Sequence, residues 1–92
     1  MAQSTVLAAG NTRATSSDIT VAAGSTVTVG LFVASGTVQP GCRAVVWIDT
    51  PGSDNRETEL DSIKKETQLV GPCTARVERV ASPVDFGVFL ES

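Results

Sequence analysis

One segment sets the terms for this chain. Between Thr26 and Val33, the residues Val27, Val29, Leu31 and Val33 take every second position, with Thr26, Thr28, Gly30 and Phe32 between them. Only an extended strand gathers a period-two set onto one face; a helix would scatter it around the axis. The same beat returns in Thr74–Val80, where Ala75 and Val77 oppose Arg76 and Glu78. It returns again in Val84–Leu90, where Val84, Phe86, Val88 and Leu90 oppose Asp85, Gly87, Phe89 and Glu91. Asp18–Val21, Cys42–Asp49 and Thr67–Val70 read as further strands. Between them stand turn formers: Ala22-Ala23-Gly24-Ser25, the Gly- and Pro-bearing run 35–41, the run 50–56, Gly71-Pro72 and Ala81-Ser82-Pro83. The run 50–56 reads as the most mobile segment.

About seven short strands spaced about 8–12 residues apart predict an all-β fold, a small antiparallel β-sandwich, immunoglobulin-like or jelly-roll-like. Glu57–Lys65 fits two patterns. Leu60 and Ile63, three apart, suit a helical turn, whereas Thr58 and Leu60 opposite Glu57, Glu59 and Asp61 suit a strand. The strand-and-turn reading is favoured because its neighbours are all strands. Residues 1–92 read as one domain. The Ala-, Ser- and Thr-rich stretch 1–16 is an edge strand over Ser4–Ala8 followed by a loop, an arm reaching a neighbour, or a frayed end.

With 92 residues, the interior is thin. A domain of this size buries only about 60–65% of the surface its unfolded chain exposes, so partner subunits are an early expectation. Cys42–Asp49 sharpens it. Ala44, Val46 and Ile48 form one apolar face, and Val45 and Trp47 form a second. A sandwich strand buries one face in its own domain. Val45 and Trp47, with Phe32 and Phe89 on the second faces of their own strands, are therefore the candidate interface residues. The alternative turns Trp47 inward, as the core tryptophan of an immunoglobulin-like domain.

Composition narrows the chemistry. The formal net charge is −3, and the seven basic residues are scattered, which argues against nucleic acid as a partner. Residues 1–10 carry no positive charge and the apolar run stops at Gly10, so no secretory signal is read. No stretch approaches the roughly 20 apolar residues of a membrane span, so no membrane partner is expected. Synthesis in the cytosol then makes Cys42 and Cys73 reduced thiols by default, although a sandwich could bridge them. The chain has no His and no Tyr. Ser-His-Asp and Cys-His arrangements cannot be built, and two thiolates are half of a structural zinc site. Glu57, Glu59 and Asp61 read as a solvated face; the spacing of Asp49, Asp54 and Asp61 matches no calcium loop. No catalytic residue, cofactor or metal is expected, and the chain reads as not an enzyme. With four aromatics in all (Phe32, Trp47, Phe86 and Phe89), the case for sugar recognition is weak.

The order of motifs is Ile19-Thr20-Val21-Ala22-Ala23-Gly24-Ser25-Thr26-Val27-Thr28-Val29, a polar middle, Leu69-Val70-Gly71-Pro72-Cys73-Thr74-Ala75-Arg76-Val77, and a final Phe86-Gly87-Val88-Phe89-Leu90. This order resembles small β-sandwich virion proteins of tailed bacteriophages, namely capsid decoration (cement) proteins and related modules of head or tail fibres. The likeness covers 18–91. Cys73 stands where those chains usually have glycine, and Ala75 where they have an aromatic. The resemblance implies a structural protein of the virion, made in the bacterial host cytoplasm. It would be a homo-oligomer, a trimer, seated on the major capsid protein or another virion protein. It carries over no catalytic residue. The alternative it leaves open is a receptor- or glycan-binding module of a phage fibre.

Overall fold

The computed structural model describes residues 3–34, 36–49 and 56–91. Among these the chain forms nine strands and no helix: β1 (Gln3–Gly10), β2 (Ala14–Thr15), β3 (Ile19–Val21), β4 (Thr26–Phe32), β5 (Ala44–Asp49), β6 (Arg56–Leu60), β7 (Glu66–Val70), β8 (Cys73–Arg79) and β9 (Phe86–Glu91). One sheet runs β1-β9-β4-β7. The other runs β2-β8-β5-β6, with β3 also on β8. Every pairing is antiparallel. The hairpin β5–β6 is innermost, β4–β7 encloses it, β2 and β3 with β8 enclose that, and β1–β9 closes the outside. Nested pairing of this kind, folded over into two sheets, is jelly-roll connectivity and sets the immunoglobulin-like alternative aside.

The period-two faces become the core. Val29, Leu31, Ala44, Val46, Leu60, Leu69, Ala75, Val77, Phe86 and Val88 are buried between the sheets, with Val27, Val33, Val84 and Leu90 packed around them. Phe86, Leu60 and Leu69 are the largest fully buried side chains, each contributing about 1.5–3 kcal/mol of apolar transfer. Gly24 turns the chain from β3 into β4 at φ 82°, a left-handed conformation that glycine adopts without a Cβ clash.

Several elements differ from the sequence expectation. The count is nine strands rather than about seven, because two short or irregular strands have no periodicity to read. Gln3–Gly10 takes the edge-strand reading rather than the free arm, but is longer than Ser4–Ala8; it runs the length of β9, from Gln3 opposite Glu91 to Gly10 opposite Phe86. Its register slips between Thr5 and Leu7, which lets the consecutive Val6 and Leu7 both pack on the core. β2 and β3 form one edge interrupted at Ser16. There the Ser16 N–H donates to the Val77 carbonyl (2.8 Å) and Ser16 Oγ accepts from the Val77 N–H (2.9 Å). Thr50–Asn55, most of the loop read as mobile, lie outside the described residues, and Arg56 already pairs with Ile48 in β6. Over 57–65 the strand-and-turn reading holds. β6 ends at buried Leu60, and the Asp61 carboxylate accepts the N–H groups of Ile63 and Lys64 (2.9 and 2.8 Å). Ile63 is 93% exposed, so it forms no apolar stripe with Leu60.

Cys42 and Cys73 are both buried and unpaired. Ala44, just after Cys42, faces Arg79, while Cys73 begins the same strand six positions away. At about 3.4 Å per residue the two lie roughly 20 Å apart, far beyond the ~7 Å Cα limit of a bridge.

Arg79 ties the sheets together. It follows Ala75 and Val77 on the inward face of β8 and is only 6% exposed. Its Nε donates to the Thr12 carbonyl (2.8 Å), and one terminal nitrogen donates to the carbonyls of Ala8 (2.7 Å) and Phe86 (3.1 Å). The guanidinium also lies 6.0 Å from the Phe86 ring centroid. Gly10 sits directly above it, where a Cβ would come within 2.7 Å of a guanidinium nitrogen.

Candidate functional site

With the inward positions filled, function is left to the two outer faces, which differ sharply. On the β1-β9-β4-β7 sheet the outward strand positions carry two charges, Glu66 and Glu91; the others are mainly Thr, Gln, Gly, Phe and Val. Phe89 lies opposite Gly30 and Phe32 opposite Gly87. A Cβ on either glycine would stand 2.5 Å from the facing ring, so each phenyl ring lies down on a strand that offers no side chain of its own. Both rings are thereby half-buried. Beside them, Gln3, Ser4 and Thr5 of β1 border a shallow groove of about 360 Å³. At the sheet's edge Val70 is 65% exposed.

The outer face of the other sheet is crowded with charge. Outward positions hold Val45, Trp47 and Asp49 on β5, Glu57 and Glu59 on β6, and Thr74, Arg76 and Glu78 on β8. Among the described residues, three ion pairs cross it. Arg13 donates from Nε and a terminal nitrogen to one oxygen of Glu78 (2.9 and 2.7 Å). Arg43 meets both oxygens of Glu59 (3.1 and 3.0 Å), and Arg76 Nε meets Asp18 (3.2 Å). Exposed pairs of this sort add little to stability. The Glu59 carboxylate raises the Arg43 guanidinium above its ordinary value, by hydrogen bond and by charge.

The four residues singled out in the sequence do not form one patch. Phe32 and Phe89 lie on one outer face, Val45 and Trp47 on the opposite one. Trp47 points outward, 47% exposed, so the inward tryptophan is set aside. Val45 is half-buried, flanked across the strands by Glu59 and Glu78, each of which pairs with an arginine. The second face of β5 is thus covered at Val45 by this chain's own side chains and open at Trp47.

Around Trp47 the surface dips into a groove of about 540 Å³, bordered by Arg13, Asp18, Asp49, Arg76 and Glu78. Of these residues only Trp47 is a contact candidate by sequence; Asp49 enters there in a calcium set that matches no loop, and Arg76 and Glu78 as the outward face of their strand. The available signal was the alternation of Arg76 and Glu78 on the same sheet face as the tryptophan. Among the described residues, no group of three or more His, Cys, Asp or Glu side chains could hold a metal ion, and no helix is long and apolar enough to cross a membrane. Comparison with protein families, with curated proteins and with solved structures found no match to this chain.

Proposed function

We propose that this chain is a non-enzymatic virion structural protein that oligomerises, as a trimer, and stabilises a capsid surface as a decoration subunit. The resemblance over 18–91 supplies the setting, and a thin-cored domain of 92 residues supplies the motive for assembly. The observation that carries the reading is the outer face of the β1-β9-β4-β7 sheet. It is low in charge, with Phe32 and Phe89 flattened onto glycines and Val70 standing free at its edge. Depletion of charge around a few aromatic anchors is the composition that protein interfaces favour at their centres. Many such contacts repeated by symmetry over a shell give high avidity from weak individual affinities.

Light scattering on the purified chain tests the first half. The expected result is a symmetric oligomer that Val70→Glu weakens without lowering thermal stability; a strict monomer at high concentration refutes it. An image of the native particle tests the second half, and density for this domain anywhere other than the outside of the shell overturns it.

A further inference from the structure

We propose that the groove around Trp47 is a binding site for a neutral pyranose sugar, with the tryptophan as its stacking platform. A pyranose needs an apolar surface for its C–H face and, around it, both donors and acceptors for its hydroxyls. The groove supplies both. Among the described residues, Trp47 is the one large apolar side chain standing open on this charge-rich face, beside Arg76 across the strand. The volume of about 540 Å³ lies within the range of small-molecule sites.

The polar groups are paired with one another and still leave donors and acceptors over. Arg76 uses Nε on Asp18, so among the described residues both of its terminal nitrogens remain as donors and the second Asp18 oxygen as an acceptor. Glu78 offers one oxygen to Arg13 and keeps the other. The balance of charge selects the class. Two guanidinium groups face three carboxylates, Asp18, Asp49 and Glu78, so no surplus positive charge awaits a phosphate or a carboxylated sugar. The site goes beyond the assembly reading and uses the opposite sheet face, so either can fail alone.

Trp47 is the only tryptophan in the chain, and its emission reports on this groove alone. The full-length protein is titrated with D-glucose, D-galactose, D-mannose, N-acetyl-D-glucosamine, lactose and cellobiose. The expected result is a saturable change in emission with at least one of them. Removing one hydrogen-bonding charged group, in Asp18→Ala or Arg76→Ala, should weaken that sugar about tenfold or more. Val70→Glu, on the other sheet, should leave it unchanged. Calorimetry on Trp47→Ala, whose fold is checked by circular dichroism, should show no binding. Three outcomes overturn the proposal: no sugar changes the emission; binding persists undiminished in Asp18→Ala and Arg76→Ala; or glucose 1-phosphate binds more tightly than glucose. A fourth is emission that follows protein concentration rather than sugar, which makes the groove an interface with a second copy.

Discussion

Replacing Arg79 with methionine should cost this domain a large share of its stability. The side chain reaches from β8 across the sandwich and places three hydrogen bonds on main-chain carbonyls of Ala8, Thr12 and Phe86, at 2.7, 2.8 and 3.1 Å. A hydrogen bond from a charged group contributes about 1.5–3 kcal/mol, and three from one side chain sum to less than three times that. Methionine keeps most of the stem and removes a buried charge, which recovers part of the desolvation cost. Exchange of a buried ion pair for apolar residues is often neutral for that reason. Here the partners are backbone carbonyls, which the substitution leaves behind without the guanidinium. The net loss expected is about 3 kcal/mol, against a total of roughly 5–14 kcal/mol for a domain this long. In a chain of this size that lowers Tm by about 12–24 °C. Urea unfolding followed by Trp47 emission measures it, and amide exchange should show Gly10–Arg13 opening first. Arg79→Lys should recover only part of the loss, because one ammonium cannot match a planar guanidinium that reaches carbonyls on β1, on β9 and in the β1–β2 connection at once. If Arg79→Met lies within about 1 kcal/mol of the parent, the carbonyls do not depend on the guanidinium and the reasoning fails.

Gly87→Ala should destabilise more than Gly30→Ala. A Cβ at 87 meets the Phe32 ring at 2.5 Å and the Leu7 carbonyl at 2.6 Å, whereas at 30 the first obstacle is the Phe89 ring, which can swing away. About 1–3 kcal/mol is expected at 87 and the lower end of that range at 30, read from urea midpoints. The Asp61 carboxyl is held below its ordinary value, chiefly by the Lys64 N–H and then by the Ile63 N–H. A lowered folded value means that its stabilisation is fully present above the unfolded value near 3.8 and is lost as pH falls through the folded one. Asp61→Asn should therefore flatten the acid limb of a stability–pH curve, and an unchanged limb would contradict the assignment. Cys42 and Cys73 should react with a thiol reagent only on unfolding, with reductant leaving Tm unchanged; a mobility shift between reduced and non-reduced gels would show a bridge.

What the sequence determined here was the alternation. Val27, Val29 and Leu31, or Phe86 and Val88, can share a face only in strands, and Gly71-Pro72 can only end one, so the all-β class and most of the core were legible from local pattern. Local pattern carries no information about which strand lies beside which. The nested pairing that makes a jelly roll, the two-residue strand at Ala14–Thr15 and the slipped register of β1 depend on partners far along the chain. The fate of the outward residues depends on them too. Val45 and Trp47 look alike in the sequence, two apolar residues on the same side of one strand. Only the tertiary structure set two arginine-held glutamates beside Val45 and left Trp47 open over a groove. It also turned Arg79, an ordinary-looking charge at the end of a strand, into the pin between the sheets. The reason is physical: periodicity fixes which way a side chain points, but what it meets there is supplied by residues that only the folded chain brings near.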